Sequence, residues 1–241
     1  MTEWFEQWFG EEYLRVYPHR DDADAARLTA LIAELVPLRG RLLLDLGCGP
    51  GRHAALFRER GAGVVGLDLS LPMLSRARRR GGTVPLSLVR GDMRRLPFRP
   101  GTFHVVVNLF TSFGYFTDDA QHAAVLRGAV SVLRDRGVFV LDYFNADHVR
   151  ASLVPQQELR AGDMRVAVER RISADGRHVI KEIHLLDDGR SFIERVRLFS
   201  PVELSEMLGA AGLDVRPPLG DYDGSQWSES APRVILLGDR P

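Results

Sequence analysis

The chain has one cysteine, Cys48, in 241 residues. A lone thiol excludes an internal disulfide and a cysteine-built zinc cluster, and no metal is expected. Lysine is as scarce: of 32 basic residues only Lys181 is not an arginine. The 32 acidic residues bring the formal net charge to zero, so the basic excess that usually accompanies nucleic-acid binding is missing. No apolar run approaches the ~20 residues of a membrane span. The start, Met1-Thr2-Glu3-Trp4-Phe5-Glu6, lacks the basic-then-apolar order of a signal peptide, and a cytoplasmic protein is expected. The densest basic cluster, Arg76-Ala77-Arg78-Arg79-Arg80, reads as the solvated end of a helix, where arginines suit the dipole.

What is present is enough apolar sequence, 45%, for one large α/β core or a core with a small appendage. From Arg41 the sequence runs Leu42-Leu43-Leu44-Asp45-Leu46-Gly47-Cys48-Gly49-Pro50-Gly51. The apolar part suits a buried parallel strand; glycines at alternate positions then break it, and Arg52 to Arg60 continue as a helix. A strand, a glycine turn and a helix N-terminus bring bare N–H groups close to a ligand. A dinucleotide fingerprint would read G-x-G-x-x-G. Here Asp45 stands two residues before Gly47, which disfavours a nearby pyrophosphate and suits a cation such as an α-amino group. A second apolar strand, Gly63 to Asp68, also ends in an acid. Asp68 lies 19 residues beyond Gly49, near the ~20 expected of a carboxylate that reaches ribose hydroxyls. It supports a ribose without separating a dinucleotide from a methyl donor. Ser70 is a good N-cap for the next helix, and Leu69 or Met73 can lie flat on an adenine, Met73 equally in the core.

The third strand, Leu86 to Arg90, ends in Gly91-Asp92-Met93-Arg94-Arg95-Leu96-Pro97-Phe98. Asp45-x-Gly47-x-Gly49-x-Gly51, Asp68 and Gly91-Asp92-Met93 together resemble the ordered motifs of the class I S-adenosylmethionine-dependent methyltransferases. The resemblance covers Leu42 to Pro241 and is similar to bacterial small-molecule enzymes, amino-sugar N-methyltransferases among them. It implies an α/β, Rossmann-like fold: a seven-stranded, mostly parallel sheet with helices on both faces and a small antiparallel β insertion. It implies S-adenosyl-L-methionine as cofactor, with Asp92 accepting from the adenine amine and the next N–H donating to a ring nitrogen. The residues it places around the donor are Asp45, Gly47, Cys48, Gly49, Gly51, Arg52, His53, Asp68, Leu69, Met73, Gly91, Asp92, Met93, Asn108, Leu109 and Phe110.

Strand four, Phe103 to Phe110, carries His104 where the family often has an acid, so His104 reads as structural. Thr111 to Phe116 forms a loop at the carboxyl edge of the sheet, where open α/β sheets bind ligands. Ser112, Phe113 and Tyr115 are candidate substrate contacts there. The N-P-P-Y motif of adenine and glutamine methyltransferases is missing, which argues against those acceptors. A helix from Asp118 to Arg136 leads to strand five, Val138 to Phe144, with Tyr143 as a further pocket candidate.

Around this core, residues 1–36 read as a helical lid, 37–144 and 201–241 as the core, and 145–200 as the insertion. Trp4, Phe5, Trp8, Phe9, Tyr13 and Tyr17 recur at spacings of three and four, as on one face of an amphipathic helix. That helix either docks on the core or closes over the cofactor with Tyr13, Tyr17, His19 and Arg20 as polar tips; a second runs from Asp22 to Val36. In the insertion, Met164–Ser173, His178–Asp187 and Ser191–Phe199 alternate apolar and polar residues, as three antiparallel strands do. They can cover the substrate or pair two copies into a homodimer. Pro201 to Gly212 is the last helix. The loop from Gly220 to Trp227 lies between the final strands, at Leu213–Arg216 and Arg233–Leu237. It is too long for a mere turn, which makes Tyr222 and Trp227 candidate substrate contacts.

Methyl transfer from a sulfonium mainly needs alignment and exclusion of water, with a base only if the nucleophile arrives protonated. No catalytic acid or base stands out; Tyr13, Tyr17 and Tyr115 are the candidates near the methyl. The reading is a methyltransferase acting on nitrogen or oxygen of a small molecule. An RNA methyltransferase, a nicotinamide-dependent reductase and a non-catalytic sensor of the methyl donor are its rivals.

Overall fold

The structure, a computed structural model, describes residues 3–17, 22–81 and 86–241; His19 and Arg20 of the expected lid lie outside them. The leader forms two short helices, not one: α1 (Trp4–Trp8) and α2 (Glu11–Val16), parted at Phe9-Gly10, before α3 (Asp22–Leu35). The core then runs β1 (Leu42–Leu46), α4 (Arg52–Glu59), β2 (Gly63–Asp68), α5 (Leu71–Arg80), β3 (Ser87–Arg90), β4 (Phe103–Asn108), α6 (Asp119–Val132) and β5 (Leu133–Phe144). Polar side chains start the helices where the sequence offers them. Ser70 caps α5 by accepting from Met73 N–H at 3.3 Å, and Asp118 caps α6 by accepting from Ala120 N–H at 2.8 Å.

Strand β5 begins earlier than expected. The helix stops at Val132, and Leu133 already pairs with Phe103 before a register shift. Arg136 sits at φ 60°, and a side chain on Gly137 would meet the Arg134 carbonyl at 2.7 Å. Leu133 to Arg136, read as the end of the helix, are thus an irregular first part of the strand.

Beyond β5 come α7 (Ala146–Ser152), the strands β6 (Gln156–Ala161), β7 (Met164–Ile172), β8 (His178–Leu185) and β9 (Ser191–Arg197), then α8 (Pro201–Ala210), β10 (Asp214–Val215) and β11 (Arg233–Asp239). The insertion therefore has a short helix and four strands, not three. Strand β6, Gln-Gln-Glu-Leu-Arg-Ala, is a largely exposed edge with no apolar alternation to announce it. Asn145 starts α7 by accepting from Asp147 N–H at 3.1 Å.

The large sheet has the order β10-β11-β5-β4-β1-β2-β3, and the small one β6-β7-β8-β9. Among the described strands of this sheet only β11 runs against its neighbours; β10 is parallel to the rest, so the loop between them overhangs the carboxyl edge. One face of the large sheet buries Val125, Leu126, Leu204 and Leu208 of α6 and α8. The other buries Leu28 and Ile32 of α3 with Phe57 of α4. A third cluster joins Trp8 and Val16 of the leader to Val166, Val168, Ile183 and Leu185 of the small sheet. Trp8 is 0% exposed, so packing does account for leader aromatics that the seven-stranded core alone does not require. No helix among the described residues is long and apolar enough to cross a membrane.

Candidate functional site

A cavity of about 1100 Å³ opens at the carboxyl ends of β1 to β4. Its floor begins at the glycine turn. Gly47 has φ +70°, and a Cβ there would meet Ser112 Cβ at 2.9 Å, so the turn and the 111–116 loop close on each other as only glycine permits. Above Gly49 a Cβ would meet nothing within 4 Å; that space belongs to the cavity.

Three carboxylates line the floor. Asp68 accepts from Gly49 N–H through Oδ2 and from Ser70 N–H through Oδ1, both at 2.8 Å, which fixes its plane across the turn. Asp45 is 1% exposed, and its Oδ2 has no partner. Burial, then the nearby Asp68 charge, push its carboxyl up to about 7. Asp92 is gripped by Arg94, whose backbone N–H donates to Oδ1 at 2.8 Å and whose Nη2 donates to Oδ2 at 2.6 Å. Partial burial raises the Asp92 carboxyl, but the Arg94 bonds outweigh it and hold the group below its ordinary value. Arg94 also lies 4.8 Å from the Phe116 ring centre and 3.7 Å from Glu3 of the leader. Cys48 is buried in the turn, where burial, then Asp45 and Asp68, drive its thiol pKa up. His53, in the first turn of α4, packs its ring 4.8 Å from Phe110. Burial, then Arg52 and Arg233, lower its pKa to about 3, and its Nε2 has no partner.

The side wall rests on a group the sequence reading passed over. Asp142, 0% exposed on β5, accepts from Arg233 Nε at 2.8 Å, Phe110 N–H at 2.9 Å and Tyr222 Oη at 3.2 Å. It fastens Phe110 and Thr111, non-glycine residues at φ 53° and 60°, a left-handed conformation that β-branched threonine adopts rarely. Thr111 N–H donates to the Asp142 carbonyl at 3.0 Å. The sequence signal was an acid inside the apolar run Val138 to Phe144, since a buried carboxylate needs a cation.

The roof combines the leader with the small sheet. Trp4 Nε1 donates to the Tyr115 carbonyl at 3.2 Å, and Trp8 Nε1 to Glu194 at 2.5 Å. Lys181 and Glu194, paired at 3.2 Å, face the cavity from β8 and β9; neither was a site candidate in the sequence.

Of the residues expected around the donor, all line the cavity except Gly51 and Asn108. Gly51 starts α4 at φ +75°, and a Cβ there would lie 2.9 Å from Ala77 Cβ, behind the turn. Asn108 turns into the sheet and donates to the Leu46 carbonyl at 3.0 Å, with its Oδ1 left unpartnered. Of the substrate candidates, Tyr13, Ser112, Tyr115 and Tyr222 line the cavity; Tyr17, Phe113, Tyr143 and Trp227 do not. Tyr17 packs on Trp8 under the Lys181 ammonium, 4.7 Å from its ring centre. Phe113 is buried against Phe199 and His122. Tyr143 is buried with its hydroxyl donating to the Arg197 carbonyl. Trp227 packs against the core; its backbone N–H donates to the Pro218 carbonyl at 3.1 Å, and its indole Nε1 is buried without a partner.

A parallel sheet with one antiparallel strand, a glycine turn after β1 and carboxylates at three successive strand ends define a class I methyltransferase fold. The chain belongs to the S-adenosylmethionine-dependent methyltransferases, and S-adenosylmethionine is its methyl donor. A methyltransferase-domain family profile matches residues 43–137. A dTDP-3-amino-3,6-dideoxy-alpha-D-glucopyranose N,N-dimethyltransferase of Streptomyces fradiae is 33% identical over 206 residues, 82% of this chain and 78% of that one. A cypemycin N-terminal methyltransferase of a Streptomyces species is 28% identical over 230 residues, 89% of each chain. Among solved structures, S-adenosylmethionine-bound CalS10, an amino pentose methyltransferase of Micromonospora echinaspora, superposes with a TM-score of 0.67 at 25% identity, covering 96% of each chain.

The floor suits this donor. The unpartnered, buried Asp45 oxygen beside a second carboxylate calls for a cation, and the methionine end of the donor brings an ammonium.

Proposed function

We propose that this enzyme methylates the amine nitrogen of a small molecule. When bound, S-adenosylmethionine supplies an electrophilic methyl on a sulfonium. Asp45 holds the donor's ammonium, Asp68 accepts from the ribose hydroxyls, and Asp92 with the Met93 N–H meets the adenine edge. Leu69 and Met73 bracket the base. The 111–116 loop and Tyr115 face the transferring carbon, and the leader covers the donor and keeps water out.

The observation that carries the small-molecule reading is the roof. The cavity, about 1100 Å³, exceeds the few hundred to ~1,000 Å³ that a single drug-sized ligand occupies, so donor and acceptor fit together beneath helices and sheet. A groove for a polymer would lie open, and a chain with no net charge gives a nucleic acid little to hold. Nitrogen is favoured because the three similar proteins are each named for an amine-bearing acceptor or for N-methylation.

The test is release of S-adenosylhomocysteine with matched pairs of acceptors: amino sugars and peptide N-termini against their hydroxy analogues, and a short RNA. Turnover confined to amines is expected. Methylation of the hydroxy partner alone would move the assignment to oxygen, and methylation of the RNA alone would end the small-molecule reading.

A further inference from the structure

The inner face of the small sheet changes character along its length. Strand register pairs Val168 with Ile183, Arg170 with Lys181, Lys181 with Glu194 and Val179 with Val196. Side chains alternate between faces, so these residues all point toward the leader and the cavity. At one end the face is apolar and sealed: Val166, Val168, Ile183 and Leu185 lie beneath Trp8 and Val16. At the other end Arg170, Lys181 and Glu194 line the cavity instead.

The ion pair at this boundary is not explained by packing. Its side chains are only 12% and 16% exposed, and burying two charges costs desolvation that apolar neighbours would avoid. Glu194 is nonetheless held firmly. Lys181 Nζ donates to Oε2 at 3.2 Å and to Oε1 at 3.3 Å, and Trp8 Nε1 donates to Oε1 at 2.5 Å. Oε2 accepts from Lys181 and not from Trp8, which leaves it the less encumbered oxygen of a residue that lines the cavity. The cation is the chain's single lysine, a compact point charge where every other basic side chain is a planar guanidinium.

The pair lines the same cavity as the glycine turn, and the 111–116 loop links the two. Val196, two residues along and so ~6.7 Å from Glu194 on the same face, packs against Gly114, where a Cβ would lie 3.1 Å from Val196 Cγ1. Arg197 N–H donates to the Gly114 carbonyl at 2.8 Å. Ser112, on the same loop, brings its Oγ to 3.4 Å from the Gly47 carbonyl.

On the reading that the acceptor is an amine, we propose that Glu194 and Lys181 form its subsite and prepare the nucleophile. An alkyl amine enters as an ammonium, with an ordinary pKa near ~10.4, and an ammonium has no lone pair for attack. Glu194 Oε2 receives the proton: the N–H bond breaks with its electron pair left on nitrogen, and an O–H bond forms on the carboxyl group. Lys181 places a like charge beside the amine, which favours its neutral form. The nitrogen then takes up the methyl, the C–S electron pair stays on sulfur, and the carboxyl proton passes to water as product leaves. Trp8 positions the carboxylate, so the subsite is complete only with the leader docked.

A single lysine makes the test direct, because lysine labelled with 13C and 15N gives one side-chain ammonium signal. In the S-adenosylhomocysteine complex, cyclohexylamine should shift that signal, cyclohexanol should not, and Glu194→Gln should abolish the response while leaving S-adenosylhomocysteine affinity within twofold. With any amine the parent methylates, Glu194→Gln should cut kcat/KM at pH 7 at least tenfold and recover as pH rises and the free amine accumulates. A merely structural Glu194 would give a loss independent of pH. A Lys181 signal unmoved by the amine overturns the subsite, and if amine turnover persists, the nitrogen reading stands without it. A signal moved by cyclohexanol alone overturns the amine chemistry of both.

Discussion

On the floor of the cavity, Asp68 is held by the amides of Gly49 and Ser70, and Asp92 by its neighbour Arg94. On the roof, Glu194 is held by side chains 13 and 186 positions away. The floor is therefore specified by local turns that form with the sheet, and backbone bonds fix Asp68 and Asp92 whether or not anything else docks. The roof exists only once leader, small sheet and core have met, and its polar groups are placed by long side chains. A fixed floor suits a donor that is the same in every turnover. A roof assembled from distant parts lets the acceptor side change while the donor side stays.

The largest break in this comparison comes from Trp8→Ala. It removes a fully buried indole, should cost about 3–5 kcal/mol of stability, and deprives Glu194 of a donor. Unfolding in urea is expected at clearly lower concentration, with S-adenosylhomocysteine still bound below the transition. Loss of that binding in the folded variant would mean that the roof also shapes the floor.

Asp68→Ala attacks the floor alone. Loss of two charge-assisted hydrogen bonds to the ribose, each worth about 1.5–3 kcal/mol, predicts at least a ~100-fold loss of S-adenosylhomocysteine affinity, beside a lower melting temperature from the freed Gly49 and Ser70 amides. Calorimetry showing equal affinity would remove Asp68 from the donor site.

Asp45 sharpens the comparison through pH. Its carboxyl is raised from 3.8 to about 7 in the folded chain without donor, so between those values the native state holds a proton that the unfolded chain has lost. This group's contribution to stability is then largest at the acid side and falls as pH rises through that window. A cationic ligand favours the ionised form, so donor affinity should fall as pH drops below about 7, by up to ~10-fold per unit, with one proton released on binding. Asp45→Asn should flatten that profile in calorimetry run in two buffers.

Arg94→Met is the smallest change. Partly exposed ion pairs of this kind are worth about 1 kcal/mol or less, so the melting temperature should barely move. The variant should instead lose discrimination between S-adenosylhomocysteine and an analogue lacking the adenine amine, because Asp92 is no longer aimed. Exchange of leader amides should also quicken, as the contact to Glu3 is gone.

The same contrast decides what the sequence disclosed. Asp45, Asp68 and Asp92 were legible because each ends a strand at a fixed distance from a glycine, and local spacing carries that information. The seven-stranded, mostly parallel sheet followed from the family resemblance those motifs carry. Lys181 and Glu194 were not legible: their meaning lies in a cross-strand register and a contact with residue 8, and on paper they are two charges in an alternating strand. Strand β6 escaped because its exposed, polar face shows no period. Asn108, Phe113 and Tyr143 were expected in the cavity because they lie beside it in sequence. Strand alternation turns Asn108 and Tyr143 into the core, and the 111–116 loop folds Phe113 inward, where Leu46, Arg197 and Phe199 take them up.

The position of Cys48 has a practical consequence. Its sulfur lies where a Cβ on Gly66 would approach to 2.8 Å, wedged between the glycine turn and β2. Only a thiolate alkylates at useful rates, and burial with two neighbouring carboxylates suppresses that form here. Iodoacetamide can therefore reach this chain's one thiol only during excursions in which the turn lifts off β2. With no second thiol to confuse the count, the rate of labelling becomes a clock for those openings. Each stop of that clock on adding a nucleoside would report a turn clamped from above.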